Sequence, residues 1–434
     1  MHKIPQNVIL NEAKRNEESL DFKEYLASFI FNENSEGDLF ISNEKKTRVE
    51  TNKIDGEEYS QFINEFWTSK QRQASSLHEI AYRACFKPQL PRFFIETLSQ
   101  KGDVIYDPFS GRGTTVLEAG LLDRNVISND VNPLSRILTY PRFFVPDILA
   151  TENRLNEIPF QEETTANFDL SMFYHTKTEA ELVSLRNYFL KKKRSGMEDR
   201  LDTWIRMIAT NRLTGHSPGF FSVYTLPPNQ AVNAQNQKKI NEKRKQKPEY
   251  RNVKKLILKK TRTLLKGMTR EIKEKLATIG NNAVFLNSDA RDTNEVRSGS
   301  VQLTVTSPPF LNVVQYANDN WLRSWFNDIE VEKVSKKITM ARTVEDWNSV
   351  MGQVFSELFR ITKPYGWVAF EVGEVNKGKI KLDEHIVPIG VAAGFNCEGI
   401  LVNRQNFTKT ANIWGIDNNS KGTNSNRVVL FQKQ

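Results

Sequence analysis

Two short strings, far apart in the chain, restrict what it can fold into. Asp107-Pro108-Phe109-Ser110-Gly111-Arg112-Gly113-Thr114-Thr115 follows directly on the apolar run Val104-Ile105-Tyr106, and Thr306-Ser307-Pro308-Pro309-Phe310 ends a second run that begins at Val301. Each run is short and rich in apolar and β-branched residues, the pattern of a buried strand. Each then opens into a stretch dense in glycine or proline. Polar groups therefore gather at strand carboxyl ends, where doubly wound α/β sheets bind their ligands.

In the first string the glycines admit positive φ and let the main chain approach a ligand, while the helix predicted from Thr114 to Leu122 presents unpaired N–H groups. An ordinary strand-to-helix turn has the same composition. A phosphate-binding P-loop is disfavoured twice over: no Lys-Ser/Thr follows the last glycine, and Asp107 at the strand end repels a phosphate. A cationic, amino-acid-bearing nucleoside tolerates that carboxylate, with Phe109, Ser110, Gly111, Gly113 and Thr114 as its loop contacts. Asp130 ends the next predicted strand, Asn125 to Asp130, where a carboxylate can accept from both ribose hydroxyls or cap the turn into Val131-Asn132-Pro133. Asp289 follows the strand Ala283 to Leu286; it is an acceptor for an adenine amine or, with equal chemistry, the cap of its own turn.

In the second string two successive prolines fix φ and remove two N–H donors, so the Ser307 hydroxyl and the Pro308 carbonyl face outward without internal competition. That arrangement suits a flat ring bearing an amine. An exocyclic amine is a poor nucleophile because its lone pair is delocalised; accepting its hydrogens at Ser307 and Pro308 localises the pair, and Phe310 can stack on the extruded ring. A proline-rich loop between strand and helix is the plainer alternative.

The rest of the chain supplies context. Its 434 residues, 38% hydrophobic and 26% charged, suit a globular protein large enough for one α/β unit with an insertion. No apolar run reaches membrane-spanning length and the first twenty residues are too polar for a signal peptide, so a cytoplasmic protein with no membrane partner is expected. Cys85 and Cys397 have no partner spacing, so no disulfide framework is expected and no metal. Residues 1–74 read as a polar extension with helices near Phe22–Phe31 and Phe62–Trp67, residues 75–146 and 281–434 as the α/β catalytic part, and 147–280 as an inserted, largely helical region. Within that insertion, Lys238 to Lys275 hold 16 Lys/Arg and 4 Asp/Glu, against a net charge of +9 for the whole chain. The remainder is net acidic. The segment reads as a phosphate-contacting surface, with Tyr224, Asn229, Asn233, Gln235, Asn236, Gln237 and Tyr250 as candidate groove contacts, or as a solvated lysine-rich helix.

On these motifs the chain resembles the S-adenosylmethionine-dependent amino DNA methyltransferases of the cytosine-N4/adenine-N6 type found in restriction–modification systems. DPFSGRGTT is similar to their cofactor loop, NDVNP to their ribose-binding strand end, NSDAR to their adenine-side acid and TSPPF to their catalytic motif. HEIAYRACFKPQLP is similar to the segment covering the methionine end, with Tyr82 and Phe86 as its aromatic groups, and FTKTANIWG…KGTNSNRVVLFQK to the final motif, with Asn426-Arg427 entering the last strand. The resemblance covers residues 75–145 and 281–434. It implies a Rossmann-like sheet of seven strands with the last antiparallel, S-adenosylmethionine as cofactor, duplex DNA as partner, base flipping, and a cognate restriction endonuclease as a possible companion. It also implies that the insertion recognises the target sequence. Serine at the head of the catalytic motif resembles the cytosine-N4 members, whereas adenine-N6 members more often carry Asp or Asn there. Methylation at cytosine carbon 5 is disfavoured because neither cysteine follows a suitable proline motif. An RNA base methyltransferase and a non-enzymatic DNA-binding subunit are the competing readings; nothing in residues 1–70 resembles an RNA-binding module.

Overall fold

A computed structural model describes residues 18–32, 44–67, 74–82, 85–225, 233–309, 320–337, 341, 343–375, 380–404 and 425–434. Among them nine strands form one sheet: β1 (Arg48–Ile54), β2 (Glu57–Asn64), β3 (Val104–Asp107), β4 (Asn125–Asn129), β5 (Val284–Leu286), β6 (Val301–Thr306), β7 (Thr362–Val372), β8 (Asn396–Arg404) and β9 (Ser425–Gln432). Their spatial order is β1-β2-β8-β9-β7-β6-β3-β4-β5. From β8 to β5 this is the expected seven-stranded sheet: all parallel except β9, which runs antiparallel between β7 and β8.

The other two strands correct the count of seven and the helical reading of Phe62. β1 and β2 form a hairpin that extends the sheet past β8, with Phe62 of β2 opposite Leu401. Its turn is Asp55-Gly56, with φ of 49° and 91°. Positive φ at both central residues matches the right-handed twist of the flanking strands, and Asp-Gly between such strands is a strong hairpin signal. The open edge β1 carries Arg48, Glu50 and Lys53, charges that oppose further strand addition.

β6 is buried along its whole length, VQLTVT, because helices cover both faces of the sheet. On one face Ile105, Leu303, Val305, Trp367, Ala369, Val428 and Leu430 pack under α1 (Glu18–Ser28), α2 (Gln89–Leu98) and α3 (Thr114–Leu121). On the other, Tyr106, Val368, Phe370, Val429 and Phe431 pack under α13 (Val344–Ile361) and α14 (Leu382–Ala392). Between α3 and α13 lie α4 (Leu134–Thr139), the insertion's α5 (Ile148–Glu157), α6 (Thr176–Arg194), α7 (Arg200–Arg212), α8 (Ala234–Arg244) and α9 (Val253–Leu264), then α10 (Arg270–Asn282), α11 (Trp321–Phe326) and α12 (Val331–Lys337). The insertion is not a free-standing lobe: Leu155, Phe173, Trp204, Ile205, Ile257 and Leu264 belong to the same buried cluster as Ile105 and Val305. α10 packs on α3, on β4 and on the turn Tyr140–Phe143 as the crossover helix into β5, so close to that turn that a Cβ on Gly280 would stand 2.7 Å from Phe143 Cβ. No described helix is long and apolar enough to cross a membrane.

Candidate cofactor and base site

The carboxyl ends of β3, β4 and β6 open into one cavity of about 1070 Å³ of empty space, counting its mouth. Its walls include Tyr82, Phe86, Asp107, Phe109, Ser110, Gly111, Thr114, Asp130, Asp289, Ser307 and Pro309. The two strings that opened the sequence analysis thus meet across a single space. Of the other expected residues, Gly113 and Pro308 are buried and are not among the side chains of the wall. Phe310 and the closing motif up to Asn424 lie outside the described residues.

The glycine loop is held by its own chain. The Ser110 hydroxyl donates to the Asp107 carbonyl at 2.9 Å, Ser128 Oγ donates to Ser110 Oγ at 2.9 Å, and Ser110 N donates to the Asn129 carbonyl at 2.9 Å. Gly113 initiates α3 in the left-handed region, φ 73°, and a Cβ there would stand 2.3 Å from Thr139 Cγ2. Only glycine fits on both counts. Thr115 Oγ1 then donates to the Val305 carbonyl at 3.0 Å, which ties this helix to the strand carrying the second string.

The three acids have different partners. Asp107 Oδ1 accepts from Thr306 Oγ1 at 2.7 Å and from Phe109 N at 3.1 Å. Burial pushes its carboxyl up to about 7, with those hydrogen bonds opposing the rise and Asp130 adding to it. Asp130 spans the loop: Oδ2 accepts from Gly111 N at 2.8 Å and Oδ1 from Asn132 N at 2.9 Å. It is pushed up to about 6, again by burial. Asp130 therefore caps its turn and still faces the cavity, each oxygen retaining acceptor capacity for a ligand hydroxyl. Asp289 is engaged in its own turn, accepting from Arg291 Nε at 2.9 Å, from Arg291 NH2 at 2.6 Å and from Arg291 N at 3.0 Å. Those contacts hold its carboxyl below the usual range. Neither Asp107 nor Asp130 has an ion-pair partner among the described residues.

The cationic side chain nearest the loop is likewise committed. Arg112 Nη1 donates to the carbonyls of His78 and Ile80 at 3.2 and 2.9 Å, fixing the segment that leads to Tyr82. Asn211 of α7 and Arg323 of α11 donate to Ala81 O at 3.0 and 3.2 Å, so the insertion helps shape the aromatic wall. Tyr82 lies against Gly111, where an added Cβ would stand 3.4 Å from its Cε1.

Around the second string the structure adds groups that sequence reasoning missed. Trp347 Nε1 donates to the Pro309 carbonyl at 3.1 Å, and Trp347, Val350, Met351 and Val354 of α13 form the apolar side of the cavity. Nothing local in the sequence marks which face of α13 meets the site. Behind Ser307 lies Glu371 of β7, whose carboxylate accepts from the Ser307 hydroxyl and, at 2.8 Å, from Asn426 Nδ2.

The basic segment is half structural. Lys238, Lys239, Lys243, Arg244, Lys245 and Lys247 are exposed along and just after α8. Arg251 instead points inward to the carbonyls of Ser217, Phe220 and Ser222. Several expected groove contacts are also spoken for: Gln237 is buried and donates to Tyr224 O, Tyr250 OH donates to Glu181 Oε1 at 2.7 Å, and the Asn233 side chain caps α8. Tyr224 lies under the Arg244 guanidinium, 3.8 Å from its ring centroid. Gln235 and Asn236 remain exposed, and Asn229 lies outside the described residues.

A largely parallel sheet with a glycine loop, a strand-end acid pair and a Ser-Pro-Pro turn around one cavity is a Rossmann-like arrangement whose strand ends can hold a nucleoside ligand. Residues 9–135 match a family model described as DNA methylase, covering the glycine loop and Asp130. Type II methyltransferase M.BsoBI of Geobacillus stearothermophilus is 34% identical over 115 residues, 24% of this chain and 22% of the relative. Type II methyltransferase M.MjaII of Methanocaldococcus jannaschii is 32% identical over 71 residues, 16% and 13% of the two chains. That segment is similar to DNA methylases, and the matches span less than a quarter of the length of either relative. Among solved structures, the DNA modification methylase TTHA0409 of Thermus thermophilus, complexed with S-adenosyl-L-methionine, is 20% identical over 34% of this chain and 51% of its own, TM-score 0.21. The rRNA methyltransferase aviRa of Streptomyces viridochromogenes is 11% identical over 83% and 90%, TM-score 0.33.

Proposed function

We propose that this protein transfers the methyl group of S-adenosylmethionine to the exocyclic N4 amine of cytosine in duplex DNA, within a restriction–modification system that pairs it with a cognate endonuclease. Adenine N6 is the near alternative. The observation that carries the reading is the single cavity walled by the glycine loop and Asp130 on one side and by Ser307 and Pro309 on the other.

The residues present fit that cofactor. Asp107 and Asp130 form no ion pair among the described residues, which suits a ligand bearing an ammonium and a sulfonium. Phe109, Val131 and Ala290 offer an apolar slot for its base, Asp130 acceptors for its ribose, and Tyr82 and Phe86 a cover for its amino-acid end. When bound it supplies an electrophilic methyl group aimed across the cavity.

The chain's own part is to orient and activate the amine. Ser307 Oγ accepts one amine hydrogen; the Pro308 carbonyl takes the other, since the Pro309 carbonyl is already held by Trp347. Both contacts pull the lone pair out of the ring and aim it, which is positioning plus electrostatic assistance. The exposed lysines and arginine of α8 supply phosphate contacts, and the insertion supplies target choice. Ser307 rather than Asp or Asn at the motif's head favours cytosine.

The test is to incubate the purified protein with labelled S-adenosylmethionine and duplex DNA and to identify the product nucleoside by mass spectrometry. N4-methylcytosine is expected. N6-methyladenine alone would move the target to adenine, preferential labelling of structured RNA would move it to RNA, and no label on any nucleic acid would end the reading.

A further inference from the structure

We propose that Glu371 is the proton acceptor of this site, acting through the Ser307 hydroxyl, with Asn426 holding its carboxylate in place. The inference rests on the methyltransferase reading above and adds a step to it. As the amine's lone pair forms the new N–C bond, the pair of the old C–S bond leaves with the sulfur and the nitrogen is left with a positive charge. A proton must then go. It passes to Ser307 Oγ while the Ser307 hydroxyl proton passes to Glu371, which ends as a neutral carboxylic acid and returns the proton to solvent after product release.

The geometry comes from the register of the sheet. Thr306 pairs with Phe370 across parallel strands β6 and β7, which sets Ser307 beside Glu371. Glu371 is 9% exposed, in a strand otherwise reading Ala369-Phe370-Val372 around it. A buried carboxylate with no cation partner is costly, and a purely structural strand has no use for one. Its two recorded partners are both donors: the Ser307 hydroxyl, and Asn426 of β9 at 2.8 Å. Asn426 pairs in register with Asn403 of β8, whose side-chain oxygen accepts from the backbone N–H of Phe66 at 2.7 Å and Trp67 at 3.2 Å. A polar row, Ser307, Glu371, Asn426 and Asn403, thus crosses four neighbouring strands at the cavity end of an otherwise apolar sheet.

Among the described residues Glu371 forms no ion pair. β6 presents Ser307 and β9 presents Asn426; the Arg427–Asp383 ion pair of β9 and α14 lies on the opposite face, and Asp107 stands on β3, beyond β6. Burial raises the carboxyl above the usual range and the two hydrogen bonds oppose that rise. A base so placed holds a proton more readily than an ordinary carboxylate.

Glu371→Gln keeps the shape and removes the acceptor. In single-turnover reactions with saturating cofactor and DNA, its methyl-transfer rate is expected to fall about 100-fold or more. The acidic limb of the pH–rate profile, where wild type slows as Glu371 takes its proton, should flatten. DNA affinity and melting temperature should stay at wild-type values, and Glu371→Asp should restore part of the rate and the limb. A second readout needs neither cofactor nor DNA: infrared difference spectra against Glu371→Gln isolate the Glu371 carboxyl stretch in the resting protein. Its titration midpoint should move up in Ser307→Ala and in Asn426→Ala, since each loses a donor that favours the charged form. A wild-type pH–rate profile in Glu371→Gln, or a midpoint unmoved by Ser307→Ala, would overturn the relay while leaving methylation intact. Absence of methylation in the wild type would instead remove the functional reading beneath it, and the infrared coupling would still be decided.

Discussion

The two halves of the cavity are built in opposite ways. The half at β3 and β4 is made by contiguous chain: Asp107 to Thr115 and Asn129 to Asn132 hold one another through Ser110, Ser128, Asp130 and the Gly111 amide. The half at β6 and β7 is assembled from distant pieces, with Ser307 backed by Glu371 and Asn426, and Pro309 held by Trp347. The first is a preformed receptor for a ligand common to many reactions, and the second a support whose parts can be changed singly without dismantling the first. If that is so, mutations in the two halves should separate cofactor binding from methyl transfer.

The largest effect expected from a single change is at Ser307. Ser307→Ala removes the acceptor that localises the amine lone pair, and losses of about 100-fold to 1000-fold in single-turnover rate are typical for such a group. Equilibrium dialysis of S-adenosylmethionine should give an unchanged affinity. An equal loss of cofactor affinity would mean that the halves are one unit.

Gly113→Ala strikes the other half. The new Cβ would meet Thr139 at 2.3 Å from Cγ2, with φ at 73°. Overpacking of this kind costs ~1–3 kcal/mol, and the left-handed backbone adds to that for a residue with a Cβ. Melting temperature and cofactor affinity should fall together. Adding Thr139→Ala should recover the steric part only, leaving the backbone part as a residual deficit.

This contrast also explains what could be read from the amino-acid sequence. Order along the chain carried the glycine loop, Asp130 and the Ser-Pro-Pro turn, because each is a local string whose turn chemistry is written in adjacent residues. Glu371 and Trp347 gave no such sign, and Asn426 was marked only as entering the last strand: the place of each at the site comes from strand register or helix face, properties of the assembled sheet. The hairpin β1–β2 is different again. Its Asp55-Gly56 turn was present in the sequence but stood between segments whose mixed polarity suits an exposed edge strand as well as a helix.

A pH experiment sharpens the comparison further. Binding a cation between Asp107 and Asp130 favours their ionised forms, so cofactor affinity should be level above about pH 7 and weaken as pH falls through about 7 and then about 6. Calorimetry at pH 6.5 in buffers of different ionisation enthalpy should show protons released on binding, and Asp107→Asn should lose the upper step. In the unliganded protein the same carboxyls bind protons more tightly folded than unfolded. Their burial therefore costs stability above about pH 7, and that cost shrinks as pH falls toward the unfolded values near about 4. An affinity independent of pH from 5 to 8 would show that the charge pair takes no part in binding. Trp347→Phe, in the other half, should lower single-turnover rate by about 10-fold, the worth of one hydrogen bond at the Pro309 carbonyl, without this pH signature.

Asp289 is where the smallest effect is expected, and it tests whether lining the cavity is enough to bind. It ends its segment as Asp130 does, yet its oxygens are taken by Arg291, which moves with it on the same turn. A half-exposed pair of this kind contributes little to stability, and its carboxylate must first be freed to accept from an adenine amine. Asp289→Asn should change cofactor affinity by no more than about threefold, against a loss of tenfold or more for Asp130→Ala, which gives up both the ribose acceptor and the Gly111 tether. If Asp289→Asn proved as damaging as Asp130→Ala, Arg291 would have to swing away on binding. Arg291→Ala should then tighten binding by releasing the acid in advance, an outcome that a fixed Asp289–Arg291 turn does not allow.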